Sequence, residues 1–173
     1  MKHKMTKLLS LFLLICSSSF SVLAQQFKLP TEAAVAKHVR AYVSGLEQTD
    51  SMADEEGVRY EWRVPKSQSL NSPKLHAFTV SFYHNEDDEV LSRKAPVLEG
   101  LGATEIKDPR ADKLKGYLYQ VTMKTFFGTS NTIFFTAPGI GAEVTVSKAL
   151  SADVPELNKE AIVNLIFELM ENK

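Results

Sequence analysis

His38, His76 and His84 are the histidines beyond the first 24 residues, and imidazole is the group best suited to proton transfer or metal binding near neutral pH. His76 and His84 are separated by an even number of positions, so on one strand they point to the same face. Eight residues of strand nevertheless hold them roughly 27 Å apart, and a zinc ion with ~2 Å bonds does not bridge that span. His38 lies beside Val35 and Val39 and reads as an ordinary helix-surface histidine. His84-Asn85-Glu86 starts like the His-x-Glu of a zinc deaminase, but the downstream cysteine pair is missing. The acidic run Glu86–Glu89 lacks the alternating oxygen ligands and central glycine of a calcium loop; placed after Asn85, it suits the first turn of a helix instead.

Two further fragments are incomplete. Gly128-Thr129-Ser130-Asn131-Thr132 opens like a Gly-x-Ser-x-Gly nucleophile elbow but ends in threonine, and it lies between two strand-like runs rather than between a strand and a helix. Gly139-Ile140-Gly141 lacks the third glycine and the following helix of a dinucleotide fingerprint. With no complete motif, neither a cofactor nor a metal is expected, and the chain reads as a binder more than as an enzyme. The enzymatic alternative is a small hydrolase in which one of the three histidines meets an Asp or Glu in a cleft, because catalytic groups converge in space rather than in sequence.

The residues suited to binding are aromatic. Tyr60 and Trp62 are two apart, as are Tyr117 and Tyr119, so each pair shares a strand face. Amphipathic aromatics placed this way line a pocket for an apolar small molecule or anchor an envelope protein partner; the plainer reading is sheet core. A ligand predicts a cavity lined by Trp62, Tyr60, Tyr117 or Tyr119, and a partner predicts an exposed apolar patch instead. The alternate residues Arg59, Glu61 and Arg63 form a charged face that suits water or an acidic partner.

The elements that must position these residues follow from hydrophobic periodicity. Val35, Val39, Tyr42 and Leu46 recur at helical spacing after Pro30-Thr31-Glu32, which has helix-start chemistry, and Gly45 lies near the end. Glu47–Gly57 is polar and acidic and reads as a surface loop. Val58–Val64 alternates cleanly as a strand closed by Pro65, and Lys74–His84 forms the next, with Phe78, Val80 and Phe82 on one face. A helix is expected after Asn85, interrupted by Pro96 and ended by Gly100 and Gly102. A short strand around Thr104–Lys107, a polar loop, and three strands at Tyr117–Phe127, Thr132–Ala137 and Ala142–Lys148 come next, the last three joined by turns at Gly128–Asn131 and Pro138–Gly141. The last helix runs from about Pro155 to Glu171. Clustered strands predict an α+β fold: one mainly antiparallel sheet of five to six strands with N-terminal, middle and C-terminal helices packed on it. In Ala161–Met170 only Asn164 and Glu168 are polar, so this helix is either deeply buried or a candidate interface with a partner or a second copy.

Residues 1–24 carry Lys2, Lys4 and Lys7, the apolar run Leu8–Ile15, and Val22-Leu23-Ala24 before Gln25, the three parts of a cleaved secretory signal peptide. The apolar run is far shorter than the ~20 residues that span a bilayer, and Ile15 before Cys16 does not suit lipoprotein processing, so no membrane anchor is expected. Residues 25–173 are expected as one periplasmic domain. Removing the three lysines leaves 17 bases against 21 acids, a net charge of −4, with no basic block to meet nucleic acid or a membrane surface. Cys16 is the only cysteine, so the mature chain forms no disulfide and no thiolate site. These observations lead to an exported, non-enzymatic binding or interaction domain.

Overall fold

Val58, Tyr60 and Trp62 do alternate with Arg59, Glu61 and Arg63 on a strand, and six more strands join it in one antiparallel sheet. The computed structural model describes residues 27–65, 77–85, 100–126, 128–149 and 156–171. In chain order these form α1 (Glu32–Val39), β1 (Glu47–Ala53), β2 (Gly57–Arg63), β3 (Ala77–Tyr83), β4 (Thr104–Glu105), α2 (Pro109–Lys113), β5 (Tyr117–Thr125), β6 (Gly128–Ala137), β7 (Ile140–Ala149) and α3 (Lys159–Glu171). The sheet order is β1-β2-β3-β7-β6-β5-β4, with each neighbouring pair antiparallel. The fold is α+β, and the sheet has seven strands where the pattern predicts five to six.

Register gives the sheet two unlike faces. Val58, Phe82, Ala142, Phe135 and Leu118 form one cross-strand row, and Tyr60, Val80, Val144 and Ile133 form the next; all of them are buried. They share one hydrophobic cluster with Val35 and Val39 of α1 and Ile162, Ile166 and Leu169 of α3. Tyr42 stacks on Phe78 with ring centroids 5.6 Å apart, and Phe167 of α3 meets Phe135 of β6 edge-on at 5.2 Å. Each fully buried aliphatic or aromatic side chain of this kind contributes about 1.5–3 kcal/mol. The opposite face is polar, with Ser81, Thr79, Glu143, Thr145 and Thr132 in its rows and a small apolar cluster at Tyr119 and Val121. There Tyr83 stands opposite Gly141, where a Cβ would come 2.2 Å from the tyrosine ring, so glycine makes room for its neighbour.

Several local expectations are corrected. Glu47–Ala53 is a strand rather than a loop. All seven side chains of β1 are exposed, so no buried face imposes alternation on them, and the ladder to β2 alone makes the strand. A register shift between Gln48 and Asp50, together with the acids Glu47 and Asp50, disfavours pairing of a further chain on this sheet edge. The loop before β5 contains α2, whose start is capped by Asp108 accepting from the Arg110 amide, with Pro109 behind it. The strand ends also move: β5 stops at Thr125 rather than Phe127, β6 begins at Gly128 rather than Thr132, and β7 runs Ile140–Ala149 rather than Ala142–Lys148. Thr125 pairs with Gly128 and Ala137 with Ile140, so the connections shrink to residues 126–127 and 138–139. The residues 128–131 look like a turn by composition, but ladders from both sides hold them extended.

The first helix stops at Val39, although Tyr42 and Leu46 still pack on the core. The last begins at Lys159 and buries Ile162, Val163, Leu165, Ile166, Phe167 and Leu169. The helix expected after Asn85, His76 and residues 1–24 lie outside the described residues. Asn85 itself is buried, and its Nδ2 donates to Thr136 Oγ1 (3.0 Å) and to the carbonyls of Ala137 (3.1 Å) and Ile140 (2.7 Å), tying the end of β3 to the β6–β7 turn.

Candidate functional site

The two aromatic pairs lie on opposite faces of the sheet. Tyr60 and Trp62 belong to the apolar face and are 2% and 5% exposed, with centroids 6.5 Å apart and Trp62 a further 6.3 Å from Phe78. Burial, and secondarily the charge of Glu32, pushes the Tyr60 phenol above its ordinary value. Tyr117 and Tyr119 stack at 6.4 Å on the other face, Tyr119 buried and Tyr117 half-exposed. Their register separates them: Tyr60 shares a row with Ile133, and Tyr119 shares one with Phe134.

Among the histidines, His38 Nδ1 lies 2.7 Å from the Ala34 carbonyl and His84 Nδ1 lies 3.4 Å from that of Gly139. A carbonyl only accepts, so each Nδ1 is the donor. Both imidazoles are thus oriented by backbone, one on α1 and the other just past β3. Among the described residues, no group of three or more His, Cys, Asp or Glu side chains could hold a metal ion.

The charged face of β2 is a bridge built around one acid. Glu61 is 5% exposed and accepts from Arg59 (3.1 Å) and from Arg63, whose own side chains are half-exposed. Burial alone would raise the Glu61 carboxyl; hydrogen bonds and charge from the two arginines outweigh it and hold the group below its ordinary value. Both arginines of this face are thus engaged by one internal carboxylate.

A feature that sequence reasoning missed stands at the β5–β6 hairpin. Thr125 Oγ1 donates to the Gly128 carbonyl at 3.0 Å and closes the connection. Gly128 takes φ +142°, and a Cβ there would lie 2.2 Å from the Lys148 carbonyl of β7, so only glycine lets the strands approach. Beside it is an open cleft of about 230 Å³ lined by Thr125, Gly128, Ser130, Ser147, Lys148 and Ala149, among others. It is smaller than the roughly 300–1,000 Å³ of a drug-sized ligand pocket, and none of the four candidate aromatics lines it. Phe126 projects from the connection at 92% exposure, and Met123 on the strand below is 46% exposed. The sequence signal of this hairpin is Phe126-Phe127 where a two-residue hairpin loop usually carries Asn-Gly or Asp-Gly. Comparisons with protein-family models, with curated proteins and with solved structures each find no match for this chain.

Proposed function

We propose that this chain is a non-enzymatic binding domain, exported to the periplasm by a cleaved leader, that engages an envelope component through the β5–β6 hairpin end of its sheet. The carrying observation is Phe126, a large apolar side chain held almost wholly in water on a closed hairpin. Burying such a ring is favourable by about 1.5–3 kcal/mol, so leaving it in water is a cost that a binding partner removes. In this reading α1, α2 and α3 pack on the face bearing Tyr60 and Trp62 and make it support. The open end of the sheet is then the binding surface, which favours an envelope component over a small apolar ligand.

The test is a photo-crosslinking residue placed at Phe126 in the exporting cells, with the same residue at exposed Met52 on β1 as the control. Adducts from position 126 and none from position 52 support the reading. Adducts from position 52 alone, or a chain that retains residues 1–24 inside the cell, overturn it.

A further inference from the structure

Lys124 and Lys148 are 24 positions apart, so the sequence shows no basic segment there, yet the sheet seats them in one row. Lys124 pairs with Thr129 and Thr129 with Lys148, which roots both lysines on the same face at two strand spacings, roughly 10 Å. Phe126 lies two residues beyond Lys124, at the tip. No Asp or Glu occurs in Val121–Phe126, Gly128–Ile133 or Val144–Ala149, although the chain as a whole carries a net charge of −1. The hairpin end is therefore a local positive, apolar-tipped surface on a protein of the opposite sign.

An exposed aromatic at a hairpin tip with cations set just behind it matches a lipid interface. The ring enters the boundary between headgroups and acyl chains, and the lysine stems reach back so that their ammonium groups meet anionic headgroups. A protein partner would need about 800 Å² of surface on each side, whereas the exposed large apolar side chains described at this end are Phe126 and Met123. Of the exposed large apolar side chains on described strands, Met123 lies on β5 close to this tip, whereas Met52 and Tyr117 lie on the far sheet edge and at the opposite end of β5.

We infer that the β5–β6 hairpin docks this protein on an anionic phospholipid surface, with Phe126 at headgroup depth and Lys124 and Lys148 on the headgroups. This rests on the reading of the hairpin end as the binding surface and names its target.

Vesicle flotation of the chain, as its own cells process it, tests the inference with phosphatidylglycerol–phosphatidylethanolamine vesicles against phosphatidylcholine alone. The expected result is flotation with the anionic vesicles only. The bound fraction falls at least about fivefold in high salt, for Phe126→Ser, and for the Lys124→Gln/Lys148→Gln double variant. Phe126→Trp keeps the aromatic, and its emission, read over the constant background of buried Trp62, shifts to the blue on anionic vesicles. Absence of flotation, equal flotation with phosphatidylcholine, no blue shift, or indifference to these substitutions overturns the inference. The crosslinker at position 126 separates the two readings. Protein adducts without vesicle binding remove the lipid target and keep the binding surface, whereas no adducts of any kind remove both.

Discussion

Asn85 is the side chain on which the β6–β7 turn depends, because one amide group serves three acceptors away from water. Asn85→Ala leaves those acceptors unpaired and is expected to cost about 2–3 kcal/mol in urea denaturation. Asn85→Asp costs more at pH 7, since a carboxylate would face the Ala137 and Ile140 carbonyls. Its native-state pKa is raised, so the aspartate variant recovers stability as the pH is lowered and the carboxyl is protonated. Glu61 has the opposite sign. Its folded value is depressed, so the bridge stabilises fully above the unfolded carboxylate range of about 4.3 and fades as pH falls through the lower folded value. Glu61→Gln is expected to lose about 1–2 kcal/mol at pH 7, less than a fully buried pair because the arginines are half in water. Below pH ~4 the difference between variant and native chain should shrink, and a gap independent of pH would contradict this account.

Among elements, α2 shows how five residues hold a defined place. Arg110 donates to both oxygens of Asp108 and to Asn164 Oδ1 of α3 at 2.9 Å, and its guanidinium lies 4.4 Å over the Phe167 ring. The Arg110 hydrogen bonds are the main cause that lowers the Asp108 carboxyl, ahead of the burial that opposes them. Arg110→Ala is expected to cost about 1–3 kcal/mol by removing the charged hydrogen bonds and the cation–π contact together, whereas Arg110→Lys recovers only part. Thermal melts of both variants check this. The hairpin makes a sharper demand on its backbone: Gly128→Ala must move the Lys148 carbonyl of β7 or abandon φ +142°, so pairing of β6 with β7, and with β5, should loosen at this end. Amide exchange at Lys124 and Thr129 reads that loosening directly.

For the molecule as a whole, sheet order predicts a gradient of local stability. β7 and β6 have strands on both sides and supply Val144, Ile133 and Phe135 to the core, whereas β1 pairs on one side only and exposes all its side chains. Hydrogen exchange should therefore be slowest in β6 and β7 and fastest in β1, because edge amides open without breaking the core. Equal protection across the sheet would mean that β1 is covered by something beyond β2. No helix among the described residues is long and apolar enough to cross a membrane.

The sequence by itself determined the strands with one buried face. Alternation of Val58, Tyr60 and Trp62, and of Phe78, Val80 and Phe82, records which side is kept from water, and the apolar stripe of α3 records burial in the same way. It could not mark β1 as a strand, because a strand with every side chain in water leaves no hydrophobic pattern. Nor did it reveal the hairpin surface. Residues 128–131 have turn composition, and only ladder bonds from β5 and β7 hold them extended and put Phe126 at the tip. Tertiary structure also set Tyr60 and Trp62 on the opposite face from Tyr117 and Tyr119, since register decides which spacing-two pairs meet. Lys124 and Lys148 become neighbours for the same reason: proximity across a sheet comes from long-range hydrogen bonding, and separation along the chain carries no trace of it.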